Sequence, residues 1–125
     1  MGNLGGAKRW FISDNYLNSK STGNGLSHEA VCVLNPEDKD ATVKMVLYFE
    51  NRPKMDGFEE TVGAERAVHI RLDEIKTNKG ISVPKDIPYA MMIESDVDVI
   101  VQYSRLDTSF VPGTLMTTIA YPMGC

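Results

Sequence analysis

The chain has 125 residues, of which 42% are hydrophobic and 24% are charged, the composition of an ordinary globular protein. Its formal net charge of −4 argues against nucleic acid as a partner, because phosphate binding relies on a basic surface. The two cysteines cannot build a disulfide framework, so we interpret Cys32 as a small core residue and Cys125 as incidental. The sequence contains no signal-peptide pattern and no apolar run of about 18 residues, so we expect one cytoplasmic domain over residues 1–125.

Short apolar segments separated by polar turns fill the first half of the chain. The segment Arg9–Ile12 predicts an opening strand, and the Asn-, Ser- and Gly-rich stretch Asn15–Leu26, which ends in the turn pair Asn24-Gly25, predicts a surface loop. Two further runs predict strands and have the short spacing of a hairpin: His28–Asn35 and Ala41–Glu50.

The second half continues the same pattern and suggests one helical turn, Leu72–Ile75. Pro53 makes Asn51–Gly57 a turn rather than a central strand. The predicted strands are Phe58–Val62, Ala64–Leu72, a short edge piece at Ile81–Val83, Tyr89–Glu94, Val97–Leu106 after a break at Ser95-Asp96, and Thr114–Tyr121, which Pro122 ends. About eight short strands and at most one short helical turn predict an all-β protein, an antiparallel β-sandwich.

The run Val99–Asp107 carries polar side chains through an otherwise apolar strand. Alternation places Arg105 on one face with Tyr103, and Gln102 on the opposite face. A polar group removed from water costs about 1–3 kcal/mol unless it is hydrogen-bonded, so these residues are either paired inside the fold or directed at a ligand. Arg105 and Asp107 could also pair with each other to hold a turn.

Two other segments carry candidate polar groups. His28 and Glu29 begin a strand and point to opposite faces, so they cannot form an acid–base pair; Ser27 and His28 could equally satisfy backbone groups at the loop–strand junction. In the strand that contains Arg66, the residues His69 and Arg71 share a face, which is either a solvated surface or a site for anions and hydroxyl groups.

The sequence lacks the usual signatures of catalysis. The only two histidines, His28 and His69, have no Cys or His at metal-ligand spacing, and we expect neither a metal nor another cofactor. There is no G-x-S-x-G nucleophile motif and no Gly-rich phosphate loop that opens a helix. We therefore expect a binding protein rather than an enzyme.

Five motifs in order along the chain resemble the sensory rhodopsin transducer family. They are Trp10-Phe-Ile12, Ser27-His-Glu-Ala-Val-Cys-Val-Leu-Asn35, Arg66-x-x-His69-x-Arg71, Ile100-Val-Gln-Tyr-Ser-Arg-Leu-Asp107 and Thr118-Ile-Ala-Tyr121. The resemblance implies a small β-sandwich that forms a homotetramer, couples a membrane photoreceptor to downstream events or senses a sugar-like metabolite, and has been linked to DNA. Glu65 and Ala67 dilute the basic character of the Arg66 strand, which weakens the expectation of DNA binding.

The leading hypothesis is a non-catalytic signalling module that binds a small polar metabolite, such as a sugar. The alternative is a module that binds the cytoplasmic face of a membrane receptor, and direct DNA binding comes third. Trp10 or Tyr103 would supply an aromatic surface for a ligand, and an oligomer would cover Ile81–Val83 and the apolar run Met91–Ile93. The resemblance implies the ligand-lining or interface residues His28, Glu29, Arg66, His69, Arg71, Gln102, Arg105 and Asp107.

Overall fold

The computed structural model describes residues 5–22, 26–110 and 112–123, so the predicted Asn24-Gly25 turn and Cys125 lie outside the described residues. The described residues contain eight β-strands and no helix. The strands are β1 (Ala7–Asn15), β2 (His28–Asn35), β3 (Ala41–Tyr48), β4 (Met55–Val62), β5 (Arg66–Arg71), β6 (Tyr89–Asp107), β7 (Thr114–Ile119) and β8 (Tyr121–Met123). All the described pairings are antiparallel, which confirms the predicted fold class.

The long strand β6 belongs to both layers of the sandwich. Its first part pairs with β1 and β3 in the first sheet, which has the order β4-β3-β6-β1-β8. Its second part pairs with β2 and β7 in the second sheet, which has the order β5-β2-β6-β7. The two sheets therefore share one strand that passes from one layer to the other.

A single apolar core lies between the sheets. The second sheet contributes alternate residues such as Val31, Val101 and Ile70, and the first sheet contributes Met45 and Phe58. Each of these five side chains is at most 4% exposed, as strand alternation requires of one inward face. The outward faces are left for other roles.

Several predicted boundaries are wrong. The two strands predicted at Tyr89–Glu94 and Val97–Leu106 are one strand, because Ser95 and Val97 stay buried and the alternation continues through the expected break. The predicted turn before Phe58 already contains the start of β4 at Met55. Pro122 does not end the last strand, since it lies within β8.

The stretch predicted as a surface loop, Asn15–Leu26, is partly internal. Asn15 ends β1 fully buried, and Leu17 is 1% exposed in the core. Asn18 and Ser19 donate hydrogen bonds to Asp107 and Asp86. The described start of the segment, from Asn15 to Ser19, is therefore held against the sandwich by both apolar and polar contacts.

The remaining local predictions have different outcomes. The amide N–H of Ile75 donates to the Arg71 carbonyl at 3.2 Å, as one helical turn requires. The piece at Ile81–Val83 forms only a single bridge, Lys76 to Ser82, among the described residues. The expected oligomer surface at Met91–Ile93 is wrong, because Met91 and Ile93 are fully buried and point into the core.

Candidate functional site

The carboxylate of Glu29 is fully buried at the end of the sandwich where β2 begins. Its Oε1 accepts a hydrogen bond from the Tyr89 hydroxyl at 2.6 Å, and its Oε2 accepts one from the Tyr103 hydroxyl. The backbone N–H of Tyr16 also donates to Oε2, at 2.6 Å. A buried carboxylate with several donors is well satisfied, and here it ties together β2, β6 and the segment after β1.

Arg105 connects this buried group to the surface. It lies directly opposite Glu29 in the β2–β6 register, with Nε 3.8 Å from Glu29 Oε2. Its Nε donates to the Tyr103 hydroxyl at 3.0 Å, and its Nη2 donates to the Asp14 carbonyl at 3.3 Å. The Arg105 side chain is 24% exposed, and its Nε and Nη2 have partners, so Arg105 caps the cluster and is not a free ligand donor.

The tyrosines of the cluster are held in the neutral form. Burial, and then the nearby Glu29 carboxylate, raises the pKa of both Tyr89 and Tyr103 above the ordinary value of 10.0. Neutral hydroxyls are the donors that the carboxylate needs. The donors and the acceptor of the cluster therefore match, and it is a structural network of four residues: Glu29, Tyr89, Tyr103 and Arg105.

A different group of predicted residues lies on the outer face of the second sheet. The register places His69, Cys32, Gln102 and Ile119 in one row across β5, β2, β6 and β7. His69 and Gln102 are exposed and Cys32 is half-buried, so the expected desolvation of Gln102 does not occur and Cys32 lies outside the core. The row is an open strip of imidazole, thiol, amide and aliphatic groups.

At one corner of this face, Arg71 forms an ion pair with Asp73. Arg71 donates to both oxygens of Asp73, from Nε at 2.8 Å and from Nη2 at 2.7 Å. Burial alone would raise the pKa of Asp73, but the Arg71 guanidinium lowers it below its usual range. His28 begins β2 on the same face, and its Nδ1 lies 2.8 Å from the Leu26 carbonyl oxygen.

Arg66 and Asp107 lie away from both groups. Arg66 is exposed and donates to the carbonyls of Ala64 and Glu65. Asp107 accepts hydrogen bonds from the Ser109 N–H and the Asn18 amide, which brace the loop after β6. The Ser109 bonds, then the charge of Arg105 and the Asn18 bond, lower the pKa of Asp107. The suggested ion pair between Arg105 and Asp107 is therefore replaced by separate partners for each residue.

The aromatic residues proposed to face a ligand are in the core. Trp10 is 3% exposed and Tyr103 is 0% exposed. The indole N–H of Trp10 donates to the carbonyls of Ala7 and Val99, at 3.0 and 3.1 Å. Neither ring offers a surface for a sugar, so that prediction is wrong.

Sequence reasoning missed Tyr89 as a partner of Glu29. The two residues lie 60 positions apart, and the ring reaches Glu29 across the sandwich from the other end of β6. The one available signal was the pairing of Glu29 with Arg105, which share an inward face when β2 and β6 are neighbours. To use that signal one must know the order of the strands in the sheet, which the sequence alone does not give.

Two concavities of the described part of the chain lie elsewhere, on the outer face of the first sheet. One of about 1230 Å³ is lined by Arg9, Lys44, Glu94 and Asp98 among others, and one of about 610 Å³ adjoins it. All eight predicted site residues are described, and none of them lines either concavity. The predicted residues are therefore separate from both concavities.

Two further features bear on chemistry. Within the described ranges, no group of three or more His, Cys, Asp or Glu side chains is placed to hold a metal ion. Burial raises the pKa of the Cys32 thiol, and a hydrogen bond to Ser104 lowers it by less, so the thiol is not activated as a nucleophile.

In the same described part of the chain, no helix is long and apolar enough to span a membrane.

The fold defines a small antiparallel β-sandwich with an open strip of polar and aliphatic side chains on the outer face of its second sheet. Residues 5–122 match the family model described as Anabaena sensory rhodopsin transducer. The chain therefore belongs to the Anabaena sensory rhodopsin transducer family.

Two solved structures are similar to this chain. Thermotoga maritima 1070 is 35% identical and has a TM-score of 0.85, with 96% of this chain and 97% of that chain covered. The Anabaena sensory rhodopsin transducer is 34% identical and has a TM-score of 0.70, with 82% and 90% covered. No curated protein matches the chain significantly.

Proposed function

We propose that this chain is a non-catalytic, cytoplasmic signalling module, one domain that forms a homo-oligomer and recognises a protein partner through the outer face of its second sheet. The observation that carries this proposal is the open row His69–Cys32–Gln102–Ile119, with the exposed Leu34 beside it. An outer sheet face that mixes uncharged polar groups with exposed aliphatic groups and has few free charges suits a protein interface. It does not have the concave shape of a small-molecule site.

A membrane receptor is the partner class that the family favours. The related Anabaena protein is named as a transducer of a sensory rhodopsin. For this chain we propose the corresponding role, binding to the cytoplasmic face of a receptor. Asp73 already neutralises Arg71. The main side chains left for recognition on this face are therefore His69 and Gln102.

Site-specific photo-crosslinking in the source cells tests this proposal. A photoreactive amino acid at Gln102 is expected to give a covalent adduct with one membrane protein, identified by mass spectrometry. The same amino acid at Lys44, which is exposed on the outer face of the first sheet, is the matched control and is expected to give none. Equal adducts from both positions, or none from Gln102, would contradict the proposed recognition face.

A small polar metabolite is the second candidate ligand, and the larger concavity on the first sheet favours it. Its volume of about 1230 Å³ and the charged groups Arg9, Lys44 and Asp98 suit a hydroxyl-rich or acidic molecule. This candidate moves the sugar hypothesis from the predicted residues to a different face. DNA remains the weakest candidate, because the chain has net charge −4.

A thermal-shift titration with sugars and sugar acids separates these locations. A true ligand at a hundredfold excess over its Kd stabilises the folded chain by about 2.7 kcal/mol. Loss of the shift in Lys44→Ala would place the ligand in the concavity, and loss in Arg105→Ala would return it to the predicted residues. A flat panel would leave the protein partner as the proposed ligand.

A further inference from the structure

The larger concavity on the first sheet lies where β6 bulges away from β1. Arg9 lies opposite Glu94 and Ala7 lies opposite Val99, so two steps along β1 correspond to five steps along β6. The pairing of β6 with β3 ends at Ser95, just as this bulge begins. A bulge opens space beside a strand and redirects its side chains, and bulges are common next to active sites. The concavity is therefore built by the backbone and not only by exposed side chains.

The charged side chains around this concavity balance one another. Of the described residues that line it, three are basic, three are acidic and none is aromatic. The charged residues are Lys8, Arg9, Lys44, Glu94, Asp96 and Asp98. A polyanion would meet three carboxylates here, and a neutral sugar would find no aromatic ring among these residues. A ligand that carries both a cation and an anion fits this balance.

One end of the concavity has an excess of positive charge. The strand registers place Lys44 and Arg9 on either side of Glu94, two cations to one carboxylate. Arg9 Nη2 donates to Glu94 Oε2 at 3.1 Å, whereas Lys44 forms no ion pair within the described ranges. This positive end therefore has a cation left for a ligand.

The bulge itself forms a negative end. Asp96 and Asp98 lie on β6, and the only charged residue of β1 opposite them is Lys8, which lies between the paired positions Ala7 and Arg9. One oxygen of Asp96 accepts the Thr42 N–H at 2.8 Å, which fixes that carboxylate. Among the described residues, Asp98 has no ion-pair partner. Two carboxylates to one lysine leave this end ready for a cation.

The distance between the two ends sets the size of the ligand. Asp98 is four residues beyond Glu94 on β6, which is at most about 13 Å along an extended strand. An extended peptide of about four residues has the same length. We propose that the larger concavity binds a short extended peptide with free termini, its carboxylate at the positive end and its ammonium at the negative end.

This inference deepens the second candidate of the proposed function, because it rests on the same concavity and names its ligand. The volume of about 1230 Å³ exceeds the roughly 300–1,000 Å³ of ordinary small-molecule pockets, which leaves room for several residues. The inference does not depend on the recognition face of the second sheet.

Calorimetric titration of the full chain with alanine peptides of two to six residues tests the proposal. These peptides carry the two termini and the lengths on which the proposed recognition rests. We expect the tightest binding at about four residues. Acetylation of the amino terminus and amidation of the carboxyl terminus should each weaken binding at least about fivefold, because each removes one charge that the concavity pairs.

Two variants assign the two ends. Asp98→Asn should weaken binding of the free tetrapeptide and reduce the penalty of acetylation, while the penalty of amidation stays. Lys44→Gln should do the reverse. Glu60→Gln and Lys85→Gln alter exposed charged residues that line neither concavity, so both should bind as the unmodified chain does.

Circular dichroism checks that each variant folds, and Asp96→Asn makes the same prediction if Asp98→Asn does not. The proposal is overturned if no alanine peptide binds at millimolar concentration, or if the blocked peptides bind as well as the free one. It is also overturned if Asp98→Asn and Lys44→Gln bind as the controls do. A sugar-acid shift that Lys44→Ala removes, without peptide binding, would reject the peptide and leave the second candidate in place. The Gln102 adduct tests the recognition face separately.

Discussion

Glu29 is the residue on which the end of the sandwich depends. Its carboxylate receives two tyrosine hydroxyls and a backbone N–H in a fully buried place, with a guanidinium 3.8 Å away. Breaking such a network on one side is costly, because the remaining donors lose their acceptor without regaining water.

Glu29→Gln tests this dependence. The amide turns an acceptor into a donor among donors, so we expect a loss of about 2–4 kcal/mol in the free energy of unfolding, measured by urea denaturation. Glu94→Gln is the matched control, because its ion pair with Arg9 is about half exposed and should be worth less than about 1 kcal/mol. Equal losses for the two variants would contradict the account of the cluster.

The two buried tyrosines make the fold less stable at alkaline pH. A folded-state pKa raised above 10.0 means that the folded chain holds these protons more tightly than the unfolded chain. The stabilisation is therefore complete below about pH 10 and is lost progressively above it. Tyr89→Phe and Tyr103→Phe should each flatten this alkaline loss, as followed by unfolding at a series of pH values. Tyr48→Phe, at an exposed position, should not.

The sequence pointed to members of the Glu29 cluster but did not show that they pair with one another inside the fold. Alternation correctly put Tyr103 and Arg105 on one face, and Arg105 was correctly marked as a group that needs partners, whereas Gln102, marked with it, is exposed. Whether those partners are internal or external depends on which strands are neighbours, and that is a long-range property. The pairing of β2 with β6, across more than 70 positions, decides the outcome.

At the scale of elements, β6 is the strand that organises the sandwich. Local turn signals at Ser95-Asp96 predicted a break, but the sheet keeps the backbone extended: the Ser95 hydroxyl accepts the Val97 N–H, and Asp96 accepts the Thr42 N–H. The side chains that usually favour a turn instead satisfy backbone groups at the end of the β3–β6 pairing, before β6 begins to pair with β2. Local composition could not reveal this, because the competing partner is another strand.

Gly6, directly before β1, packs tightly against β6 at Val99. Gly6 has φ +101°, and a Cβ added to it would lie 2.5 Å from the Val99 carbonyl oxygen. Gly6→Ala should therefore cost more than the roughly 1–3 kcal/mol of backbone strain alone, measured by thermal or urea unfolding. Gly5→Ala has a similar φ of +107° with no atom within 4 Å, so the difference between the two variants isolates the contact. No difference would mean that β1 moves aside.

At the scale of the whole molecule, the strand pattern predicted the all-β class and the motif resemblance predicted the family, and both are confirmed. The candidate site was predicted less well, because residues that share a motif lie in different places. His69 and Gln102 are on an open face, Glu29 and Arg105 are in a buried network, and Arg66 is at a strand end. A linear motif records that residues occur together but not which of them point outward.

The most direct test of the account is the affinity of the purified partner, identified through Gln102, for the full chain and its variants by calorimetry. His69→Ala and Gln102→Ala should each weaken binding by about tenfold or more, which corresponds to the loss of more than 1 kcal/mol expected of a central interface residue. Lys44→Ala, on the opposite outer face, should bind as the unmodified chain does. If Lys44→Ala weakens binding while the other two variants do not, the recognition face is on the first sheet and the central claim is wrong.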